Sequence, residues 1–220
     1  MGDPELRLYI EQTLLRPEAT AAEVRALCEE ALRLGFVGVC VAPARVPDAA
    51  AVVRGRPVAL VTTAGFPHGA TSTDAKVFEA ERAYGRGATD VDFVLHVGAA
   101  KDGDWDAVRR EFSEMRGAVP EAVLKVILEM GLLTEDEVRR AAECAVEAGL
   151  DFVKTSTGFG PRGATVEDVR LLRSAVCQRC RVKASGGIRT REQALALVAA
   201  GADRIGTSRG PDLVREARPA

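Results

Sequence analysis

Four ionisable side chains stand inside stretches that read as buried strands: Asp92 in 91–97, Lys125 in 123–128, Lys154 in 151–155 and Lys183 in 181–184. An amine at the end of an apolar strand is disfavoured as ammonium, and the neutral amine is the form that attacks a carbonyl carbon to make a Schiff base. Lys154 meets that description, with Phe152 and Val153 before it and Thr155-Ser156-Thr157-Gly158-Phe159-Gly160 after it. Glycines so placed let backbone N–H groups approach an anion such as a phosphate. The plain alternative is a lysine that snorkels out of a strand end. Lys183 repeats the arrangement of strand, lysine, small residues and glycines 29 residues later, in Lys183-Ala184-Ser185-Gly186-Gly187. If the two strands are neighbours, one cation lowers the pKa of the other. Asp92 needs a partner within its apolar strand, so it either faces the mouth of the fold or pairs with a lysine, for which Lys125 is the natural candidate. Three strand lysines beside one strand aspartate suit a proton relay next to an imine, and a purely structural ion pair is the other reading.

These residues need a scaffold that brings strand ends together. Apolar runs legible as strands fall at 8–15, 36–41, 57–62, 91–97, 123–128, 151–155, 181–184 and 203–205, with helices after most of them. Thr20 with Glu23 makes a capping box that opens a helix ending at Gly35, and Thr190 with Gln193 opens another. The clearest helix, 134–148, has a capping box at Thr134 and Glu137, an apolar stripe of Val138, Ala141, Ala142 and Ala145, and a stop at Gly149. Eight short strands joined by helical connections predict an α/β fold, a single (β/α)8 TIM barrel occupying 1–220 as one domain. In that fold the active site lies at the C-terminal ends of the strands, with phosphate held by the loops after the seventh and eighth. On this count Lys154 ends strand six, Lys183 ends strand seven and Gly206-Thr207-Ser208 follows strand eight, all on one face. A doubly wound sheet is the alternative, and it would spread these strand ends along an open edge.

Composition narrows the partners. With 220 residues and 47% hydrophobic content the chain is long enough for one substantial core. A net charge of −2 with both signs interspersed leaves no footprint for nucleic acid or an anionic membrane, so small molecules are the expected partners. No signal-peptide core or run of ~20 apolar residues is present, and a cytoplasmic location is expected. Five scattered cysteines do not read as a disulfide framework. Cys177-Gln178-Arg179-Cys180 has redox or zinc spacing but lacks a second pair and precedes a strand, so it reads as ordinary loop cysteines. His68 and His96 are separated, although His68 follows the third strand near the mouth. Cys40 ends the second strand, as a small mouth residue or a buried hydrophobe. No P-loop or dinucleotide fingerprint occurs around Gly186-Gly187 or Gly206–Gly210, and no metal or organic cofactor is expected.

The segments Lys154-Thr-Ser-Thr-Gly-Phe-Gly-Pro161, Lys183-Ala-Ser-Gly-Gly-Ile-Arg-Thr190, Gly65-Phe-Pro-His-Gly-Ala70, Lys125-Val-Ile-Leu-Glu129 and Ala202-Asp-Arg-Ile-Gly-Thr-Ser208 resemble, in order, the signatures of the deoxyribose-phosphate aldolases, class I Schiff-base enzymes. The resemblance covers about 10–210. It implies reversible aldol cleavage of 2-deoxy-D-ribose 5-phosphate to D-glyceraldehyde 3-phosphate and acetaldehyde in a homodimer or homotetramer. It further implies that Lys154 forms the imine, that Lys183 tunes its pKa, that Asp92 and Lys125 relay protons, and that Cys40 lies close by. Gly158, Gly186, Gly187, Gly206 and Ser208 are implied to hold the phosphate, with Glu11 and Thr155 also at the substrate site. Three features depart from the family pattern and bear on substrate range. The usual Asp-His-Thr-Leu-Leu-Lys is Glu11-Gln12-Thr13-Leu14-Leu15-Arg16, the usual Ser-Ser-Gly is Ser208-Arg209-Gly210, and the chain ends Arg218-Pro219-Ala220 without a tyrosine-bearing tail. Arg209 stands at an expected helix start whose free N–H groups would favour phosphate, and its guanidinium either adds a contact or extends into solvent. Other readings are a lysine aldolase for a different phosphorylated aldehyde and a non-catalytic barrel that binds sugar phosphates.

Overall fold

Strands covered on both faces must be apolar almost throughout, and eight such strands close here into one parallel barrel in chain order. The computed structural model describes residues 5–214. The strands are β1 Ile10–Leu14, β2 Gly38–Val41, β3 Ala59–Ala64, β4 Asp90–Val94, β5 Val123–Ile127, β6 Phe152–Lys154, β7 Arg181–Ser185 and β8 Arg204–Thr207. The helices between and after them are α1 Ala21–Leu34, α2 Val46–Val53, α3 Thr73–Gly85, α4 Val97–Lys101, α5 Trp105–Ala118, α6 Glu135–Glu147, α7 Val166–Val176, α8 Arg191–Ala199 and α9 Gly210–Val214. β1 pairs with β2 on one side and β8 on the other, which closes the sheet and excludes the doubly wound alternative. None of the described helices is long and apolar enough to cross a membrane.

The helices begin on the face where the strands end, and their caps sit beside the barrel mouth. Capping boxes at Thr20 with Glu23, Thr134 with Glu137, Thr165 with Asp168 and Thr190 with Gln193 satisfy backbone donors that the first turn leaves open. The stripe expected on 134–148 is buried in α6 against the barrel. Parallel register places Asp92 beside Lys125 and Lys154 beside Lys183, so the chemically interesting residues are neighbours by strand pairing alone.

Strand boundaries differ from the sequence reading in several places. Lys183 lies in the middle of β7, two residues short of its end, because Ser185 still pairs with Gly206. β4 begins at Asp90, and His96, read as strand, instead caps α4 by accepting the Ala99 N–H at 3.0 Å. β1 starts at Ile10, preceded by a 3₁₀ turn over Leu6–Leu8.

One buried ion pair outside the barrel anchors the strand that carries Asp92. Lys76 of α3 stands 2.7 Å from Glu111 of α5 and also donates to the carbonyl of Val94, the last residue of β4, at 2.8 Å. Both side chains are buried, and removing one partner of such a pair leaves an uncompensated charge. Glu111→Ala is expected to cost about 3–5 kcal/mol in urea denaturation, and Lys76→Met combined with Glu111→Leu to recover most of that loss.

Candidate active site

The barrel interior is held by charge. Asp92 Oδ2 accepts from Lys154 Nζ at 2.8 Å and from Lys183 Nζ at 2.6 Å, while Asp92 Oδ1 faces Lys125 Nζ at 3.1 Å. Lys183 also donates to Glu11, and Lys125 donates to Asp90 at 2.7 Å. Lys154, Lys125, Lys183, Asp90, Asp92 and Glu11 are all buried, so three lysines face three carboxylates away from bulk solvent. Lys125 therefore divides itself between Asp92, the partner expected for it, and Asp90. Glu11 was expected among the substrate contacts, but the structure places it in this network, off the lining of the cavity above. Asp90 and Glu11 obey the rule that singled out Asp92, that a carboxylate in a buried strand needs a cation. Sequence reasoning missed Asp90 because the Thr-Asp pair before the apolar run reads as a turn.

This arrangement separates the three amines. Burial pushes the Lys154 amine below the ordinary lysine range, Asp92 opposes that shift, and the Lys183 cation adds to it. Lys183 is buried as deeply, yet Asp92 and Glu11 outweigh the burial and raise it. Lys125 is raised in the same way by Asp92, Glu11 and Asp90. Burial favours protonation of Asp92, but the ammonium groups of Lys125, Lys154 and Lys183 overcome it and hold the carboxyl well below the usual range. Glu11 is likewise held down by Lys125 and Lys183 against its burial. Lys154 is thus the amine most readily found neutral.

Above Lys154 opens a cavity of about 780 Å³, lined on the β1, β6, β7 and β8 side. Gly158, Gly186, Gly187, Gly206, Ser208 and Arg209 all reach its surface. Gly158, Gly186 and Gly187 have φ of +86°, +89° and +72°, a region that favours glycine. A Cβ on Gly186 would sit 3.1 Å from Gly163 Cα, and one on Gly163 would collide with the Gly186 carbonyl. The loops after β6 and β7 therefore meet backbone to backbone, and Ala164 N–H seals the contact by donating to Gly186 O at 3.1 Å. Gly163 carried no sequence signal, because its constraint comes from a loop elsewhere in the chain.

Two further groups shape this mouth. Glu129 has a left-handed backbone (φ +53°), and its buried carboxylate accepts from the Thr157 N–H at 3.2 Å and from the Thr157 hydroxyl. Gly160 makes room for it, since a Cβ there would lie 2.5 Å from Glu129 Cδ. Phe66, after β3, meets Phe159 edge to face with ring centroids 5.4 Å apart, bridging the loops after β3 and β6.

Other residues singled out in the sequence sit away from the cavity surface. Thr155 is fully buried and laces β6 to β7, donating to Ser185 O and accepting the Ser185 N–H, both at 3.1 Å. Cys40 is buried near the lysines, its thiol pushed up to about 11 by burial. His68 is exposed and off the lining. Cys177 is an exposed free thiol and Cys180 a buried one. The expected set of free N–H groups at the start of α9 is absent, because the Arg209 N–H donates to Thr207 Oγ1 at 3.0 Å and the Gly210 N–H to Gln12 Oε1 at 2.9 Å. The Arg209 guanidinium turns outward to Asp212 at 3.3 Å, with its side chain 62% exposed. Arg189 is an exposed arginine on the lining, and it makes no ion pair among the described residues. The same residues hold no group of three or more His, Cys, Asp or Glu arranged for a metal ion.

Residues 7–212 match the model of the DeoC/LacD family aldolases. The chain belongs to this aldolase family. A deoxyribose-phosphate aldolase of Thermus thermophilus is 51% identical over 210 residues, covering 96% of each chain. One of Deinococcus radiodurans is 49% identical over 209 residues, covering 95% of each. The solved tetrameric deoxyribose phosphate aldolase of Aeropyrum pernix superposes with a TM-score of 0.90 at 36% identity, over 97% of this chain and 92% of that one. Against the aldolase pattern, the departures at Gln12 and Arg209 lie on the cavity lining, and Glu11 lies in the charge network. The tail departure at Arg218-Pro219-Ala220 lies outside the described residues.

The charge network sets a sign for the pH profile. Removing the Lys183 ammonium deletes a charge that disfavours Lys154 ammonium, and it leaves more of Asp92 to Lys154. Both changes raise the Lys154 pKa. Lys183→Leu is therefore expected to move the acidic limb of kcat/KM to higher pH, read from a full pH–rate profile. An unmoved limb would mean that burial alone sets the Lys154 amine.

Proposed function

We propose that this chain catalyses the reversible aldol cleavage of 2-deoxy-D-ribose 5-phosphate to D-glyceraldehyde 3-phosphate and acetaldehyde through a Schiff base on Lys154. The reading includes a cytoplasmic homodimer or homotetramer, one barrel domain as the catalytic unit, and no metal, organic cofactor, nucleic acid or membrane partner. One observation carries it. Lys154 presents a buried amine with a lowered pKa at the base of a cavity of substrate size, bonded to a carboxylate that Lys183 shares. The relatives named above are deoxyribose-phosphate aldolases, and the Aeropyrum pernix protein is a tetramer.

The chemistry follows from those groups. The neutral Lys154 amine attacks C1 of the open-chain sugar, and loss of water from the carbinolamine gives an iminium. The iminium draws the electron pair of the C2–C3 bond as that bond breaks, and the C3 hydroxyl loses its proton to become the aldehyde of glyceraldehyde 3-phosphate. The enamine left on Lys154 takes a proton at carbon, and water then releases acetaldehyde and the free amine. Asp92 and Lys183 lie within hydrogen-bond reach of Lys154 Nζ or of each other, and with Lys125 they hold and return the protons of these steps. The phosphate lies against the Gly186, Gly187, Gly158 and Gly206 backbone, the Ser208 hydroxyl and Arg189, on the side of the cavity where the glycines clear the surface.

Borohydride reduction in the presence of acetaldehyde, followed by peptide mapping, tests the assignment. The adduct is expected on the peptide containing Lys154, and an adduct on Lys183 or Lys125, or none, would overturn it. Arginine contacts provide a second check. Charge-assisted hydrogen bonds contribute on the order of 1.5–3 kcal/mol, so Arg189→Ala is expected to lower kcat/KM for the phosphorylated sugar roughly 10- to 100-fold. Arg209→Ser, which removes a guanidinium already turned to Asp212, is expected to change it by less than about threefold in the same assay.

A further inference from the structure

The seam where β1 meets β8 carries a buried amide that the steps above leave unused. Gln12 stands on β1 opposite Thr207 of β8 and is 5% exposed. Its Oε1 accepts the Gly210 N–H at 2.9 Å, and its Nε2 donates to the Ser208 carbonyl at 3.4 Å. A carboxamide carries a donor NH2 and an acceptor oxygen in one plane, and here each faces the complementary backbone group two residues apart. The fit is close, since a Cβ on Gly210 would lie 2.5 Å from Gln12 Oε1. From the other side, the Thr207 hydroxyl donates to Ile188 O at 2.8 Å and accepts the Arg209 N–H at 3.0 Å. Segment 207–210 is therefore tied to β1 by Gln12 and to the loop after β7 by Thr207. Of that segment, Thr207, Ser208 and Arg209 line the cavity, as do Gly186 and Gly187.

We propose that Gln12 is a positioning residue for substrate recognition: it fixes the backbone of Ser208–Gly210 and so sets the wall against which the phosphate of the substrate rests. The inference depends on the aldolase reading above for the identity of the substrate. A side chain here has to supply both a donor and an acceptor. Leucine supplies neither, and a carboxylate loses the donor while facing the Ser208 carbonyl with a second acceptor. Gln12 hydrogen-bonds to the backbone of Ser208 and Gly210 and to none of Lys154, Lys183 or Asp92, so its effect falls on binding of the anionic end and leaves bond cleavage at Lys154 alone.

The test measures kcat and KM of the full-length chain and of Gln12→Leu and Gln12→Glu on deoxyribose 5-phosphate and on unphosphorylated deoxyribose, alongside thermal unfolding. Both variants are expected to raise KM for the phosphorylated sugar about tenfold, the loss of roughly one hydrogen bond to a charged-group site, with kcat within about twofold and the unphosphorylated sugar unaffected. Equal losses on both sugars, a loss confined to kcat, or no change would overturn the proposal. Should Gln12→Leu fail to fold, Gln12→Glu, which keeps the acceptor for Gly210, carries the same expectation. Inactivity of the unmodified chain on both sugars would instead count against the aldolase reading. In that event calorimetric titration with inorganic phosphate decides for Gln12: weaker binding in either variant upholds it, and unchanged binding rejects it.

Discussion

A carboxylate shared among three ammonium groups is the interaction on which the rest of this barrel depends. Asp92 can remain ionised at the centre of a closed sheet only because Lys125, Lys154 and Lys183 surround it, and those lysines can be buried only because Asp90, Asp92 and Glu11 face them. The balance is uneven. Lys125 meets three carboxylates and Lys183 two, whereas Lys154 meets Asp92 alone, so burial prevails at Lys154 and the attractions prevail at the other two. A reactive amine thus arises from the distribution of partners among similar side chains, with strand register assigning each lysine its share.

The barrel was legible in the sequence because strands covered on both faces must be apolar, and Gly35, Gly149 and the capping boxes mark where helices end and begin. Asp92, Lys125, Lys154 and Lys183 stood out as charges within such runs. Glu11 was named only through the family resemblance, and Asp90 did not stand out, because the Thr-Asp pair before its apolar run reads as a turn. The helix start after β8 misled for a different reason. Its N–H groups are occupied by Thr207 nearby and by Gln12, which lies 198 residues away in the chain from Gly210, and no local pattern announces a partner that remote.

Backbone rather than side chain forms much of the cavity wall. Where Gly163 meets Gly186 and where Gly160 admits the Glu129 carboxylate, the missing Cβ is what lets the loops after β5, β6 and β7 nest against one another. Glu129 then holds Thr157 from below while the Ala164 N–H reaches across to Gly186. The loops owe their shape to these mutual contacts, which is why residues far from Lys154 in sequence govern what the amine can be offered.

The aromatic bridge between Phe66 and Phe159 has a bearing on the shape of the cavity wall. The two rings belong to loops on well-separated strands, and the edge-to-face contact joins them above the barrel while leaving Phe159 more than half exposed. Phe159 is part of the cavity wall and Phe66 is not, so the contact braces that part of the wall from a loop three strands away around the barrel.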